Sequence, residues 1–168
     1  MTTLILTVAG ADRPGLVAAV ADVVDAHGGN WETSQLAELA GTFAGVIEVS
    51  VSPDRSSDLQ GALRELEGLL TVAVRTGTED VESAERLLSI QVLGNDRPGI
   101  VREVSNVLNT HALSIEELST ETRDAAMAGG RLFEASVQAR VPESVDLEAL
   151  RADLERLATE IQVDITLG

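Results

Sequence analysis

One stretch of this chain occurs twice. Gly10-Ala11-Asp12-Arg13-Pro14-Gly15-Leu16-Val17 returns as Gly94-Asn95-Asp96-Arg97-Pro98-Gly99-Ile100-Val101, at an offset of 96 − 12 = 84, half of the 168 residues. Between residues 10–27 and 94–111, 9 of 18 positions are identical, where unrelated stretches would share about one. A chain duplicated in this way uses one folding unit twice, so any topology proposed for one half has to serve the other.

The neighbourhood of the repeated motif gives it physical content. A short alternating apolar run precedes each copy, and an apolar stripe at helical spacing follows it, so Asp-Arg-Pro-Gly is a strand-to-helix turn. Proline suits the first helical position, because its φ already fits and its missing N–H has no partner there. Asp12 and Asp96 are placed to cap the helix through a first-turn N–H. A glycine one residue into a helix costs roughly 1 kcal/mol relative to alanine, a cost that makes sense where something must approach the backbone. Free N–H groups at an exposed helix start suit a carboxylate. A tight turn packed on a neighbour accounts for the same residues, and a single copy does not separate the two readings. Retention of the motif in both copies while the flanks diverged favours a ligand or an interface.

The periodicities predict the same six elements in each half. Leu4, Leu6 and Val8 alternate with polar or outward positions, which reads as a strand. Residues 14–27 carry a helical stripe ended by Gly28-Gly29. Residues 30–40 are extended, Gly41-Thr42 turns the chain, and 46–51 form a β-branched strand stopped by Pro53. Ser57-Asp58-Leu59-Gln60 fits a capping box for a helix striped by Leu59, Leu63, Leu66 and Leu70, and Val72 and Val74 give a last strand. The second half predicts a strand at 88–92, a helix at 98–111, an extended run at 114–122, a loop at 123–130, and a strand at 132–141 stopped by Pro142. A helix striped by Leu147, Leu150, Leu154 and Leu157 follows, and Ile161, Val163, Ile165 and Leu167 close the sheet. The order β-α-β-β-α-β is the ferredoxin-like split unit, an α+β fold with both helices on one face of a four-stranded antiparallel sheet. The expected domains are 1–77 and 86–168, joined by an acidic linker at 78–85. The second sheet face reads partly polar, with Thr7, Ser50, Ser89, Gln91 and Gln138.

Composition excludes several functions. The formal net charge is −16, and all 12 basic residues are arginine. Such a chain repels nucleic-acid phosphates and anionic membranes. No cysteine is present, which removes disulfide and thiol chemistry and suits a cytoplasmic protein. Leu4 to Val8 followed by Ala9-Gly10-Ala11 has the look of a secretion signal, but no positive residue precedes it and Leu88 to Leu93 matches it in the second half, so it reads as a strand. Asp22 and Asp25 interrupt the most apolar segment, so no membrane span is expected.

Two such units, each opening strand, Asp-Arg-Pro-Gly, helix, and the first continuing with His27-Gly28-Gly29-Asn30, resemble tandem ACT domains, with an arrangement similar to the glycine cleavage system transcriptional repressor family. The resemblance covers nearly the whole chain. It implies a non-catalytic regulatory module that binds a small effector, typically an amino acid, between two ACT domains, with the first turn and an Asn at the start of the second strand holding it. Carried onto this sequence, the ligand-binding residues are Asp12, Arg13, Pro14, Gly15, Leu16 and Asn30 in the first unit. In the second they are Asp96, Arg97, Pro98, Gly99, Ile100 and Ser114. Serine at position 114 is shorter than asparagine and carries no amide, so the second site departs from the pattern. The resemblance also implies a homodimer, a small-molecule effector of the glycine or serine class, and a regulatory protein partner, since no DNA-binding element is visible.

Other residues have plainer roles. His27 and His111, the only histidines, fall in the last turns of equivalent helices, where a ring can bond terminal carbonyls. Trp31, which aligns with Ile115, reads as core or interface filler. Arg13 and Arg97 suit a bidentate carboxylate or a surface that offsets acidic charge. Glu116-Glu117 and Glu79-Asp80 read as solvated surface; no metal, cofactor or catalytic residue is expected. Three alternatives remain at this point. An RNA-binding module of the same element order needs stacking aromatics, and this chain has only Trp31, Phe43 and Phe133. A ferredoxin-like enzyme needs a nucleophile–base pair that the sequence does not offer. A protein-interaction scaffold with degenerate ACT sites needs neither.

Overall fold

The computed structural model describes residues 1–78, 86–127 and 129–168. The linker expected at 78–85 therefore lies, beyond its first residue, outside the described residues, as does Glu79-Asp80. The chain divides into two compact units, Met1–Asp80 and Val81–Gly168. The first contains β1 (Thr2–Ala11), α1 (Leu16–Ala26), β2 (Asn30–Leu39), β3 (Thr42–Val51), α2 (Pro53–Arg64) and β4 (Thr71–Thr76). The second contains β5 (Arg86–Asn95), α3 (Ile100–Thr110), β6 (Ser114–Asp124), β7 (Arg131–Val141), α4 (Leu147–Ile161) and β8 (Val163–Leu167). Each sheet is antiparallel, ordered β2-β3-β1-β4 in unit 1 and β6-β7-β5-β8 in unit 2. This is the ferredoxin-like topology that the two periodicities predict.

The alternation along the central strands builds the core. Leu4, Leu6 and Val8 of β1 and Ile47, Val49 and Val51 of β3 turn one face inward, and Leu16, Val20, Val24, Leu59 and Leu63 of the two helices cover it. Unit 2 repeats this with Ile90, Val92, Val137 and Ala139 under Ile100, Val104, Leu108, Leu150 and Leu154. Among the described residues the buried set holds no charged or polar residue. Gly10 and Gly94 sit on this inner face because nothing larger fits: a Cβ would lie 2.9 Å from the Leu69 carbonyl and 2.5 Å from Val163 Cγ1, respectively.

The outer face is wet, as its sequence reads. In unit 2, Gln138 Nε2 donates to Ser89 Oγ at 3.1 Å and Gln91 Nε2 to Ser136 Oγ at 2.9 Å, each pair directly opposite in the β5–β7 ladder.

Several local expectations change. α2 starts at Pro53, with Ser52 as its N-cap residue, five residues ahead of the Ser57 that opens the expected capping box; the proline that ends β3 also opens the helix, since N1 requires no N–H. α2 ends at Arg64, so Leu66 and Leu70 pack on the core from the connecting turns rather than from the helix. Ile161 belongs to α4 and not to the closing strand. β6 runs to Asp124, so the second-unit hairpin loop is shorter than 123–130.

Candidate functional site

The repeated motif forms the same turn twice, but not the one its residues predict. α1 begins at Leu16, so Pro14 precedes the helix instead of occupying its first position. Gly15 is the N-cap, at φ 90 in the left-handed region, and Gly99 is the N-cap of α3 at φ 96. Neither helix receives a side-chain cap, so Asp12 and Asp96 do not play that role. Their backbone N–H groups instead tie the turn to the neighbouring hairpin: Asp12 donates to the Gly41 carbonyl at 2.9 Å and Asp96 to the Arg131 carbonyl at 2.8 Å. The glycine is required by backbone conformation, since only Gly adopts this φ without strain. Space is not the constraint from within the chain, because a Cβ at Gly15 would meet no atom within 4 Å.

The outcome is an exposed helix start with unspent donors. Asp12, Arg13, Pro14 and Gly15 are exposed, and buried Leu16 pins the turn to the core. The first N–H groups of α1 have no acceptor within the helix and no side chain supplies one. The first turn of α1 carries no acidic residue. Asp12 and Arg13 make no ion pair among the described residues. In unit 2, Asp96, Arg97 and Pro98 are likewise exposed and Ile100 is the buried anchor. There, however, Glu103 occupies the first turn of α3 and bonds Arg102 at 2.8 Å. A carboxylate sits in the first turn of α3, near the positive end of its dipole, whereas the first turn of α1 holds none.

Asn30 is exposed at the start of β2, and its position corrects the expected site. Asn30 pairs with Ser50, and Ser50 with Thr3, near the first residue of β1. The turn follows Ala11, at the far end of the same strand. Eight residues of strand, about 27 Å, separate the levels of Thr3 and Ala11. One unit therefore does not bring Asn30 and its own turn together. Ser114, opposite Arg140 and Leu87, lies equally far from the second turn. The reason is antiparallel geometry: β2 begins where α1 ends, a helix length away from the turn.

Asn30 Nδ2 donates to Glu32 Oε1 at 2.8 Å, and Ser50 Oγ donates to the same oxygen at 2.5 Å. The Ser50 bond, then that of Asn30, holds the Glu32 carboxyl below the usual carboxylate range. Glu116 occupies the equivalent place in unit 2 and pairs with Arg140, so it is not merely solvated surface. Trp31 fills the edge of the first core, with Nε1 donating to Ser34 Oγ at 3.1 Å.

The histidines serve the helices. The His27 ring bonds the Val23 carbonyl at 2.8 Å and closes the last turn of α1. His111 reaches across to α4, where Nε2 lies 2.7 Å from Asp153 Oδ2. Arg156 holds the other carboxylate oxygen. The His111 hydrogen bond, chiefly, keeps Asp153 below the usual carboxylate range, against partial desolvation. No spacing in the sequence signals this pair, whose members are 42 residues apart.

An open groove of about 1170 Å³ runs along β5, β8 and the end of α4 in unit 2. No predicted site residue lines it, and Glu134, Glu155 and Asp164 on its walls repel a ligand carboxylate.

Comparison with known proteins gives a consistent result. Sequence profiles of the ACT domain match residues 2–76 and 82–164. The chain is 28% identical over 162 residues to the glycine cleavage system transcriptional repressor of Escherichia coli, covering 94% of this chain and 85% of that protein. A solved structure of a protein of unknown function from Galdieria sulphuraria is 31% identical, with a TM-score of 0.89 over 99% of this chain and 96% of that one. No helix among the described residues is long and apolar enough to cross a membrane.

Proposed function

The chain belongs to the ACT domain family, and from that premise we propose that it is a regulatory protein without catalytic activity that senses a small amino acid, glycine or serine first, through its first unit. The observation that carries this reading is the α1 turn: exposed, uncapped, free of acidic neighbours in the first turn, and fixed in shape by Gly15. Backbone N–H groups from Gly15 to Ala18 receive the ligand carboxylate, where donors and helix dipole act together. Arg13, with no partner among the described residues, adds a second contact to it.

The ligand ammonium is met by the Asn30 side-chain oxygen of a second ACT domain. A homodimer supplies the geometry. β2 is an edge strand of its sheet, and antiparallel pairing of two β2 edges places Asn30 of one protomer level with Leu39 of the other, beside the Gly41 hairpin to which the Asp12 turn is tied. The second unit, with Glu103 at its helix start and Ser114 in place of Asn, binds more weakly or serves an interface. Similarity to a glycine cleavage system transcriptional repressor supports a role in controlling genes of glycine cleavage, exerted through a protein partner rather than by DNA contact, given a net charge of −16.

A thermal-shift screen of the twenty amino acids tests this. A ligand at 100 times its dissociation constant adds about 2.7 kcal/mol, a visible rise in melting temperature. A flat response to all twenty would favour the second reading, a scaffold with degenerate sites.

A further inference from the structure

The duplication has preserved a second feature besides the turn. In unit 1 the β2–β3 ladder pairs Asn30 with Ser50 and Trp31 with Val49, then skips to Thr33 with Glu48, so Glu32 is the extra residue of a bulge. In unit 2 the β6–β7 ladder pairs Ser114 with Arg140 and Ile115 with Ala139, then skips to Glu117 with Gln138, so Glu116 is the extra residue. The offset is again 116 − 32 = 84. Both edge strands thus carry a glutamate in a bulge two residues after their first residue. A bulge re-aims a side chain out of the regular alternation. Here it also leaves Thr33, not Glu32, opposite Glu48, so two carboxylates do not face each other across the ladder.

The two glutamates have different partners. Glu116 pairs with Arg140, which neutralises it. Glu32 accepts from Ser50 Oγ and Asn30 Nδ2, and no cation pairs with it among the described residues. An ionised carboxylate only accepts. Asn30 must therefore turn its nitrogen to Glu32, which leaves Oδ1 as the free group of the amide. An asparagine without such a neighbour is free to turn either end outward and to receive a donor or an acceptor alike.

We propose that Glu32 is the positioning residue of the unit 1 effector site: it locks the Asn30 amide with its oxygen outward and leaves a net negative charge beside it, so that this end of the site accepts a protonated amine and rejects a neutral or anionic group. The inference rests on the reading of unit 1 as an amino-acid site and adds a determinant of its selectivity. Ser50 is the second support, because its hydroxyl fixes the carboxylate that fixes the amide. Unit 2 lacks all three features, with serine at position 114, arginine at 140 and a neutralised Glu116.

Calorimetry on the full chain tests the proposal, using each of the twenty amino acids as probe and the N-acetyl derivative of the best binder as the amine-blocked control. Glu32→Gln should weaken the amino acid by about tenfold, the order of one charge-assisted contact, and shrink the preference over the N-acetyl form. Ser50→Ala should weaken it by a few-fold, and Ser50→Thr, which restores a hydroxyl, should recover it. Circular dichroism should stay unchanged, since Glu32 is exposed. An amino acid that binds wild type and Glu32→Gln equally, with the same preference over its N-acetyl form, overturns the role of Glu32 and leaves the sensing reading standing. Failure of all twenty to bind the wild type overturns the sensing reading, and this inference with it.

Discussion

Gly15 and Asn30 are the two residues on which the proposed recognition turns, and they constrain the molecule differently. Gly15 stands at φ 90 with open space where a Cβ would be. Gly15→Val therefore does two things: it fills the approach to the free N–H groups, and it strains the backbone by roughly 1–3 kcal/mol. The expected outcome is loss of amino-acid binding together with a lower melting temperature of unit 1, so calorimetry has to be run well below the transition. Asn30 is exposed and its backbone is extended, so Asn30→Ala leaves stability nearly unchanged. It should cost about 1.5–3 kcal/mol of binding, or 10- to 100-fold in affinity. Unchanged affinity in both variants would mean that the turn only packs and that any ligand sits elsewhere. The repeated glycine was plain in the sequence, but its reason was not. A propensity scale penalises glycine inside a helix, and only the φ angle shows that it stands just outside one.

At the scale of elements, unit 2 holds its helices with two devices that have no counterpart among the described residues of unit 1. The Asp146 carboxylate accepts from the N–H groups of Glu148 and Ala149 at 3.0 and 3.2 Å and caps α4. Asp146→Ala should lower the stability of unit 2 by about 1 kcal/mol, read as a shift in its unfolding midpoint. The second device is His111–Asp153, which ties the end of α3 to the middle of α4. The Asp153 carboxyl titrates lower folded than unfolded. Its contribution is thus fully present above the ordinary carboxylate range and is lost as pH falls through its lowered folded value. Acid titration of wild type and Asp153→Asn should converge at low pH and diverge as pH rises towards neutrality; parallel curves would show that the pair is not coupled to folding. Helix stripes located α1, α3 and α4 because apolar spacing reports which face is buried. They misplaced the start of α2, because Pro53 serves equally to end a strand and to begin a helix.

At the scale of the molecule, the two units share one topology and differ at the helix start, the first residue of the edge strand and the bulge. The first turn of α1 has no acidic residue and that of α3 holds Glu103; position 30 is asparagine and position 114 is serine; one bulge glutamate is bonded to neutral groups and the other to arginine. Divergence of this kind between duplicated halves fits one strong site per chain. If β2 edges form the dimer, light scattering should give twice the chain mass, and saturating calorimetry should give one amino acid per chain. Ser34→Pro, in the middle of β2, removes a donor that faces the open edge, because Thr33 and Gln35 direct theirs to Glu48 and Val46 of β3. It should return a monomer that no longer binds. A monomeric wild type that still binds would place the second half of the site elsewhere.

By itself the sequence determined the duplication, the β-α-β-β-α-β order, the inward set of leucines and valines, and the turn as the repeated feature. Each of these is local or periodic, so it is written in the spacing of residues along one chain. What tertiary structure alone decided is which residues meet. Antiparallel pairing sends Asn30 to the far end of the sheet from Asp12, although only 18 residues separate them. It also brings Glu32 to Ser50 and Glu116 to Arg140. Strand register and a one-residue bulge set those meetings, and neither leaves a period in the sequence, because both depend on how the second strand settles against the first.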